Sequence, residues 1–243
     1  MTALSVNVNK LALLRNSRGR NFPSVAHFAE RFLELGVQGI TVHPRPDERH
    51  VRFSDLPVLA AIVKNHPGRE FNVEGFPSDD FLQRVIACQA QQSTLVPDAA
   101  NQLTSDHGWN LYQEHRWLQE RIARLQDHNI RVSIFLDPDP EQIELAAGTG
   151  ADRIELYTET YAQAFATAEK PQVLAQFRAT AKAAQAAGLG VNAGHDLDLH
   201  NLREFLAING IQEVSIGHAL MVECLEQGME SVVRQYLQIC AGH

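Results

Sequence analysis

Short apolar runs in this chain repeatedly stop at a polar residue that can take part in chemistry. Ile40-Thr41-Val42 stops at His43, Phe71-Asn72-Val73 stops at Glu74, and Ile154 leads into Glu155. Val191-Asn192-Ala193-Gly194 leads into His195, and Val214-Ser215-Ile216-Gly217 into His218. The spacing is roughly 30 residues, the length of one strand-crossover-strand unit, and helical patterning fills each gap. Parallel strands alternating with helices bring their C-terminal ends to one side. A chain of this form assembles its chemistry from strand ends scattered along its whole length.

Eight strands are expected, at Leu4–Val8, Ile40–His43, Phe71–Glu74, Thr94–Val96, Val132–Leu136, Arg153–Leu156, Gly190–Asn192 and Val214–Ile216. Helical stretches lie between them. Ser24 can cap one that ends at Gly36, and Ser78 with Asp79 can cap Phe81–Cys88. Residues 111–127 form a long helix, and Glu141–Ala147 ends at Gly148. Pro171 can open an Ala-rich helix ending at Gly188, and His200–Ile208 and Leu220–Cys240 complete the set. No linker-like segment interrupts the alternation, so an α/β fold with one (β/α)8 barrel over residues 1–243 is expected rather than two domains.

The strands alternate in polarity. Asn7 and Asn9, Thr41 and His43, Asn72 and Glu74, Arg153 and Glu155, Asn192, and Ser215 each oppose apolar neighbours. With a side-chain period of two, each strand has one apolar and one polar face. The apolar face must meet the helix ring, so the polar face points into the barrel. An antiparallel sheet with one solvated face would show the same alternation, but the intervening helices argue against it. Pro97–Asn110 and Tyr157–Lys170 are longer than connection needs and belong on the C-terminal face.

Charge narrows the ligand class. The net charge of −8 argues against nonspecific nucleic-acid binding. Residues 1–52 nevertheless hold eight Lys/Arg against four acids, a net +4 that leaves −12 for the remainder. A local basic cluster on an acidic protein suits a small anionic ligand, or is a solvated face. No apolar stretch approaches the roughly 20 residues that span a bilayer. The opening MTALSVNVNK has no signal-peptide core. The three cysteines, Cys88, Cys224 and Cys240, have no CxxC spacing, so reduced thiols in a cytoplasmic protein are expected.

His43, Glu74 and His195 are then three proton-transfer groups at one end of one barrel. Glu155 can stabilise developing positive charge, or pair with a neighbouring Arg. Ser215-Ile216-Gly217-His218-Ala219 offers a glycine and a helix N-terminus to an anion. Arg45, in the loop His43–His50, can bind phosphate in a bidentate way, or belong to a surface charge cluster. No paired carboxylate or Cys accompanies His43/His50 or His195/His200 at ligand spacing, so no metal is expected. A phosphosugar aldolase or isomerase using Lys10 as a Schiff base, and a noncatalytic phosphate-binding barrel, remain as alternatives.

Several segments carry a resemblance when read in order. They are Val6-Asn7-Val8-Asn9-Lys10, Leu14-Arg15-Asn16-Ser17-Arg18-Gly19, Gly39-Ile40-Thr41-Val42-His43-x-Arg45 and Asn72-x-Glu74. Leu95-Val96-Pro97, Ile154-Glu155-Leu156-Tyr157-Thr158, Val191-Asn192-Ala193-Gly194-His195 and Ile216-Gly217-His218-Ala219 complete the series. Together they resemble the pyridoxine 5′-phosphate synthase family of vitamin B6 biosynthesis. The resemblance implies a TIM barrel with extra helices, often a homo-octamer, without metal or redox cofactor. It implies condensation of 1-deoxy-D-xylulose 5-phosphate with 3-amino-2-oxopropyl phosphate. The products would be pyridoxine 5′-phosphate, phosphate and water.

The same resemblance implies residue roles. His43 is a general base, Glu74 shuttles protons, His195 is a second base or acid, and Glu155 stabilises a cationic transition state. Asn7, Arg18, Asp196, Gly217 and His218 contact the aminoketone phosphate. Asn9, Lys10, Arg45, His50 and Thr104 hold the deoxyxylulose phosphate. The chain departs from some relatives at three places. It has Asn9-Lys10 for Asp-His, Asp98-Ala99-Ala100-Asn101 for a Glu-Lys-Arg run, and Asp196 for Gly.

Overall fold

The computed structural model describes residues 1–98, 102 and 104–242. Eight strands, β1 (Ala3–Asn7), β2 (Gly39–Val42), β3 (Glu70–Gly75), β4 (Gln92–Leu95), β5 (Arg131–Leu136), β6 (Arg153–Tyr157), β7 (Gly190–Gly194) and β8 (Ile211–Ile216), pair in sequence order and close into a barrel. Every pairing is parallel, including β1 with β8 through Ser5 opposite Ser215. The (β/α)8 barrel expected from the alternation is therefore the fold.

The helices are α1 (Asn9–Asn16), α2 (Val25–Glu34), α3 (Asp55–Lys64), α4 (Asp79–Cys88), α5 (Leu111–Gln126), α6 (Ile143–Gly148), α7 (Glu159–Ala164), α8 (Lys170–Ala186), α9 (Leu202–Phe205), α10 (His218–Gln227) and α11 (Met229–Cys240). After β1, β6 and β8 the chain forms two helices instead of one, which supplies the extra helices. The expected caps are in place. Ser24 accepts from the N–H of His27 and Ser78 from that of Phe81, both at 3.2 Å. Gly36 and Gly188 close their helices at φ +102° and +85°.

The period-two alternation divides the strands as expected. Val6, Ile40, Val42, Phe71, Val73, Val132, Ile134, Ile154, Leu156, Val191 and Val214 are fully buried in one continuous core with the helices. Each such side chain contributes about 1.5–3 kcal/mol of burial. The opposite parity fills the barrel with hydrogen-bonded polar side chains. At the N-terminal end Gln92 accepts from Arg131 Nε at 2.9 Å and donates to Glu213 at 3.2 Å. Arg153 donates to Asn192 at 3.1 Å there. In the middle, the Ser5 and Thr41 hydroxyls are 2.6 Å apart and Thr94 donates to Asn72 at 3.2 Å. Burying these groups is tolerable only because each is partnered. The C-terminal layer holds Asn7, His43, Glu74 and Glu155.

Several boundaries differ from the sequence expectations. The first strand ends at Asn7 rather than Val8, and Asn9 opens α1 instead of extending the strand. The helix α1 carries Leu13 and Leu14 about half exposed, so its apolar residues form no stripe for periodicity to detect. The stretch His200–Ile208 forms a helix only over Leu202–Phe205, because Asp198 accepts the N–H groups of His200 and Asn201 at 2.9 and 2.7 Å in a turn before it. Leu220–Cys240 is two helices, broken by Gly228 at φ +84°, ψ 140°. The long segment after β6 folds into α7, whose Tyr161 packs against Phe177 and Phe205 away from the barrel mouth.

Candidate active site

A cavity of about 460 Å³ opens at the C-terminal end of the barrel. It is lined by Asn7, Asn9, Lys10, His43, Arg45, His50, Glu74, Thr104, Glu155, His195, Asp196, Gly217 and His218, so nearly every residue selected from the sequence converges there. Arg18 does not. It is exposed in the turn after α1 and does not line the cavity of its own chain. Of the segment Asp98–Asn101, only Asp98 lies within the described residues.

One side of the site is a chain of contacts between strand ends. The N–H of His43 donates to Asn9 Oδ1 at 2.9 Å, and the N–H of Asn9 donates to Asn7 Oδ1 at 3.0 Å. Asn7 Nδ2 donates to Glu74 Oε2 at 3.4 Å, and that oxygen faces His43 Nδ1 at 3.9 Å. Asn9 therefore serves the site from the first residue of a helix, by gripping the backbone of β2. Its role does not need the strand geometry expected for it.

Burial and charge push His43 and Glu74 in opposite directions. Loss of solvent, then the guanidinium of Arg45, the neighbouring His50 and the guanidinium of Arg49, hold the imidazole of His43 well below its ordinary value. Loss of solvent, then the carboxylates Glu155, Asp98 and Glu213, hold Glu74 well above its ordinary value. Burial thus favours the neutral imidazole of His43 and the protonated carboxyl of Glu74, the pairing proton-transfer chemistry requires. Glu155 is also pushed up, to about 8, by burial and by Glu213, while accepting from Thr94 Oγ1 at 3.2 Å. Gly194 must be glycine here, since a Cβ would collide with the Glu155 carboxylate.

His195 and Asp196 form a turn after β7. Nδ1 of His195 lies 2.8 Å from Asp196 Oδ2, and Nε2 lies 3.2 Å from Thr104 Oγ1. The hydrogen bond from His195, ahead of the opposing effect of burial, lowers the Asp196 carboxyl from its usual range. The turn is tied down by Thr158 Oγ1, which donates to the carbonyls of Gly194 and His195, and by Asn201, which donates to the carbonyl of Asp196 at 3.0 Å.

Cationic and helix-end groups flank these residues. Lys10 projects from α1, and Arg45 and Arg49 from the loop after β2. Arg45 is buried and donates to Asp98 at 2.5 Å, while Ser105 donates to the same oxygen at 2.7 Å. Burial, then Arg45, Arg49 and Lys10, lower His50 to about 4, so it is neutral at pH 7. The N–H of Val51 donates to His50 Nδ1 at 3.0 Å, which leaves Nε2 carrying the proton as a donor. Across the mouth, Gly217 caps the ten-residue helix α10. Its first N–H groups are a ready anion site. A side chain at Gly217 would press on Asn7 at 3.1 Å.

Sequence reasoning did not select Asp98, Arg49, Ser105, Val96, Phe135 or Leu13. Asp98 stands three residues beyond the end of β4 and its partner Arg45 was already selected, so a charge-pairing search could have found it. Phe135 and Val96, which pack with Tyr157, are apolar residues on an otherwise polar parity, and no chemical signal marks them. Among the described residues no cluster of His, Cys, Asp or Glu is arranged to hold a metal ion, and no helix is long and apolar enough to cross a membrane.

Solved structures with similar folds include KGPDC from Streptococcus mutans (TM-score 0.67, 11% identity, covering 99% of this chain and 98% of that one). The native KDPGal structure gives a TM-score of 0.62 at 14% identity over 97% and 95% of the two chains. These likenesses concern the fold alone. Sequence similarity is far more specific. A protein of Chelativorans sp. (strain BNC1) named pyridoxine 5′-phosphate synthase is 49% identical over 242 residues, 98% of each chain. One of the same name from Allorhizobium ampelinum is 50% identical over 242 residues, 98% of this chain and 97% of the relative. The family model described as pyridoxal phosphate biosynthesis protein PdxJ matches residues 4–242, and the chain belongs to that enzyme family.

Proposed function

We propose that this protein condenses 1-deoxy-D-xylulose 5-phosphate with 3-amino-2-oxopropyl phosphate to pyridoxine 5′-phosphate, releasing inorganic phosphate and two molecules of water. The observation that carries the proposal is the placement of His43, Glu74 and the His195–Asp196 pair around one cavity flanked by cations and a helix N-terminus. Two phosphorylated substrates need two anion sites. Lys10, Arg45 and His50 suit one, and Gly217 with His218 and the start of α10 suit the other. The cavity volume of about 460 Å³ falls in the range of small-molecule sites.

The reaction joins the amine to the ketone of the sugar phosphate as an imine, expels phosphate and water, and closes the ring by carbon–carbon bond formation. Imine formation needs a proton delivered to the departing hydroxyl. Glu74, whose protonated form burial favours, supplies it, and His43, whose neutral form burial favours, takes a proton from carbon or nitrogen. A cationic iminium lowers the pKa of a nearby carboxyl. Glu155 therefore loses its proton as that cation forms and then stabilises it. His195 offers Nε2 as a second acid or base during dehydration. The working form follows the family as a homo-octamer, which the mass in solution tests.

The test is incubation with both substrates, singly and together, with product identified by mass and absorbance. Phosphate release and pyridoxine 5′-phosphate should appear only when both are present. Phosphate release from either substrate alone, or no product from the pair, overturns the proposal.

A further inference from the structure

The turn after β7 places two consecutive non-glycine residues in the left-handed region, His195 at φ +89° and Asp196 at φ +55°. Glycine occupies such positions without steric cost, and aspartate tolerates them better than most residues do. A carboxylate at the mouth of an anion-binding cavity also opposes phosphate. Backbone geometry and ligand charge therefore both favour glycine at Asp196. Its side chain nevertheless makes one specific contact, with His195 Nδ1 at 2.8 Å. A carboxylate only accepts, so Nδ1 is the donor.

We propose that Asp196 is a positioning residue for His195: it holds the imidazole as the Nδ1–H tautomer and turns Nε2 toward the cavity. In this arrangement neutral His195 accepts a proton at Nε2, and the resulting imidazolium is stabilised by the carboxylate behind it. Thr104 Oγ1, 3.2 Å from Nε2, donates to the neutral form and marks where a substrate hydroxyl would sit. The edge of Tyr157, with ring centroids 5.0 Å apart, fixes the imidazole plane from β6. Other titratable groups facing the pair are Lys10 on α1 and His218 on α10, with Asp106 and Glu159 beside Tyr157. Lys10 and His218 both favour the ionised form of Asp196.

The consequence for turnover rests on the proposed function, whereas the tautomer does not. The variants are Asp196→Gly, which suits φ +55° and keeps the backbone N–H, and Asp196→Asn, which can still accept from Nδ1 without charge. Long-range proton–nitrogen correlation on histidine-labelled protein, without substrate, reads which nitrogen of His195 carries hydrogen. The wild type should show Nδ1–H and Asp196→Gly should lose that preference. In turnover, Asp196→Gly should lower kcat by on the order of tenfold, with both KM values within about threefold. Asp196→Asn should keep the tautomer and recover part of kcat. Retention of Nδ1–H in Asp196→Gly overturns the proposal, as does a rise in KM alone, which would make Asp196 a substrate contact. If the wild type forms no pyridoxine 5′-phosphate, the proposed function fails while the tautomer comparison still decides the role of Asp196.

Discussion

Replacing Gly194 with alanine should damage the site chiefly through Glu155. The added methyl would lie 3.4 Å from the Glu155 carboxyl carbon, inside contact distance of Oε1, and 3.3 Å from the carbonyl of Ser215. Glu155 is only 3% exposed but lines the cavity, so its carboxyl must give way by about 1 Å. Overpacking of this kind costs about 1–3 kcal/mol. Losing the Thr94 hydroxyl contact at 3.2 Å adds about 0.5–1.5 kcal/mol. Removing a glycine from a strand returns about 0.4–1 kcal/mol by restricting the unfolded chain. The net expectation is about 2 kcal/mol, or a fall of about 4–8 °C in Tm for a chain this size. The assay is a double-mutant cycle with Glu155→Ala, read by denaturant unfolding. With the carboxylate gone, Gly194→Ala should cost less than about 0.5 kcal/mol, giving a coupling energy of about 2 kcal/mol. Equal penalties in both backgrounds would refute the steric reasoning. Displacing the carboxylate by about 1 Å should also lower kcat by about a hundredfold in the single variant.

Other expectations concern charge. Glu74→Gln should lower kcat by about 10²–10⁴ while leaving substrate binding nearly intact, measured by steady-state kinetics and ligand titration. Since Glu74 acts as a protonated acid and His43 as a neutral base, wild-type activity should fall below the lowered His43 value and above the raised Glu74 value. Glu155→Gln should become progressively more stable than the wild type as pH rises from the ordinary carboxyl range toward about 8, read as the difference in Tm. The sign follows from the raised value: the folded wild type holds a proton that the unfolded chain releases, so rising pH favours unfolding of the wild type alone. Lys10→Met should raise KM for the deoxyxylulose phosphate by about tenfold and leave kcat within about threefold. Borohydride reduction with substrate should leave Lys10 unmodified, since it serves as a charge rather than a Schiff base.

The sequence by itself carried the barrel. Side-chain period in Thr41/His43, Asn72/Glu74 and Arg153/Glu155 separates the buried helix-facing residues from the barrel interior, because a strand has only two faces. Caps such as Ser24 and Ser78, and glycines such as Gly36 and Gly188, were legible because they act within four residues of where they stand. The residue types at the strand ends were legible as well, and most of them meet at one cavity.

Tertiary structure alone decided the rest. Helix α1 leaves its leucines half exposed and so shows no stripe, yet it delivers Asn9 and Lys10 to the mouth. Arg18 matches a motif but stands outside the cavity of its own chain. The pairing of Arg45 with Asp98 joins residues 53 positions apart, and Gly194 is obligatory only because β6 brings Glu155 alongside it. Local pattern records whether a position is buried. Which partner occupies the space beside it is set by closure of the barrel, which brings β1 against β8 and fixes the distances and charges on which the chemistry depends.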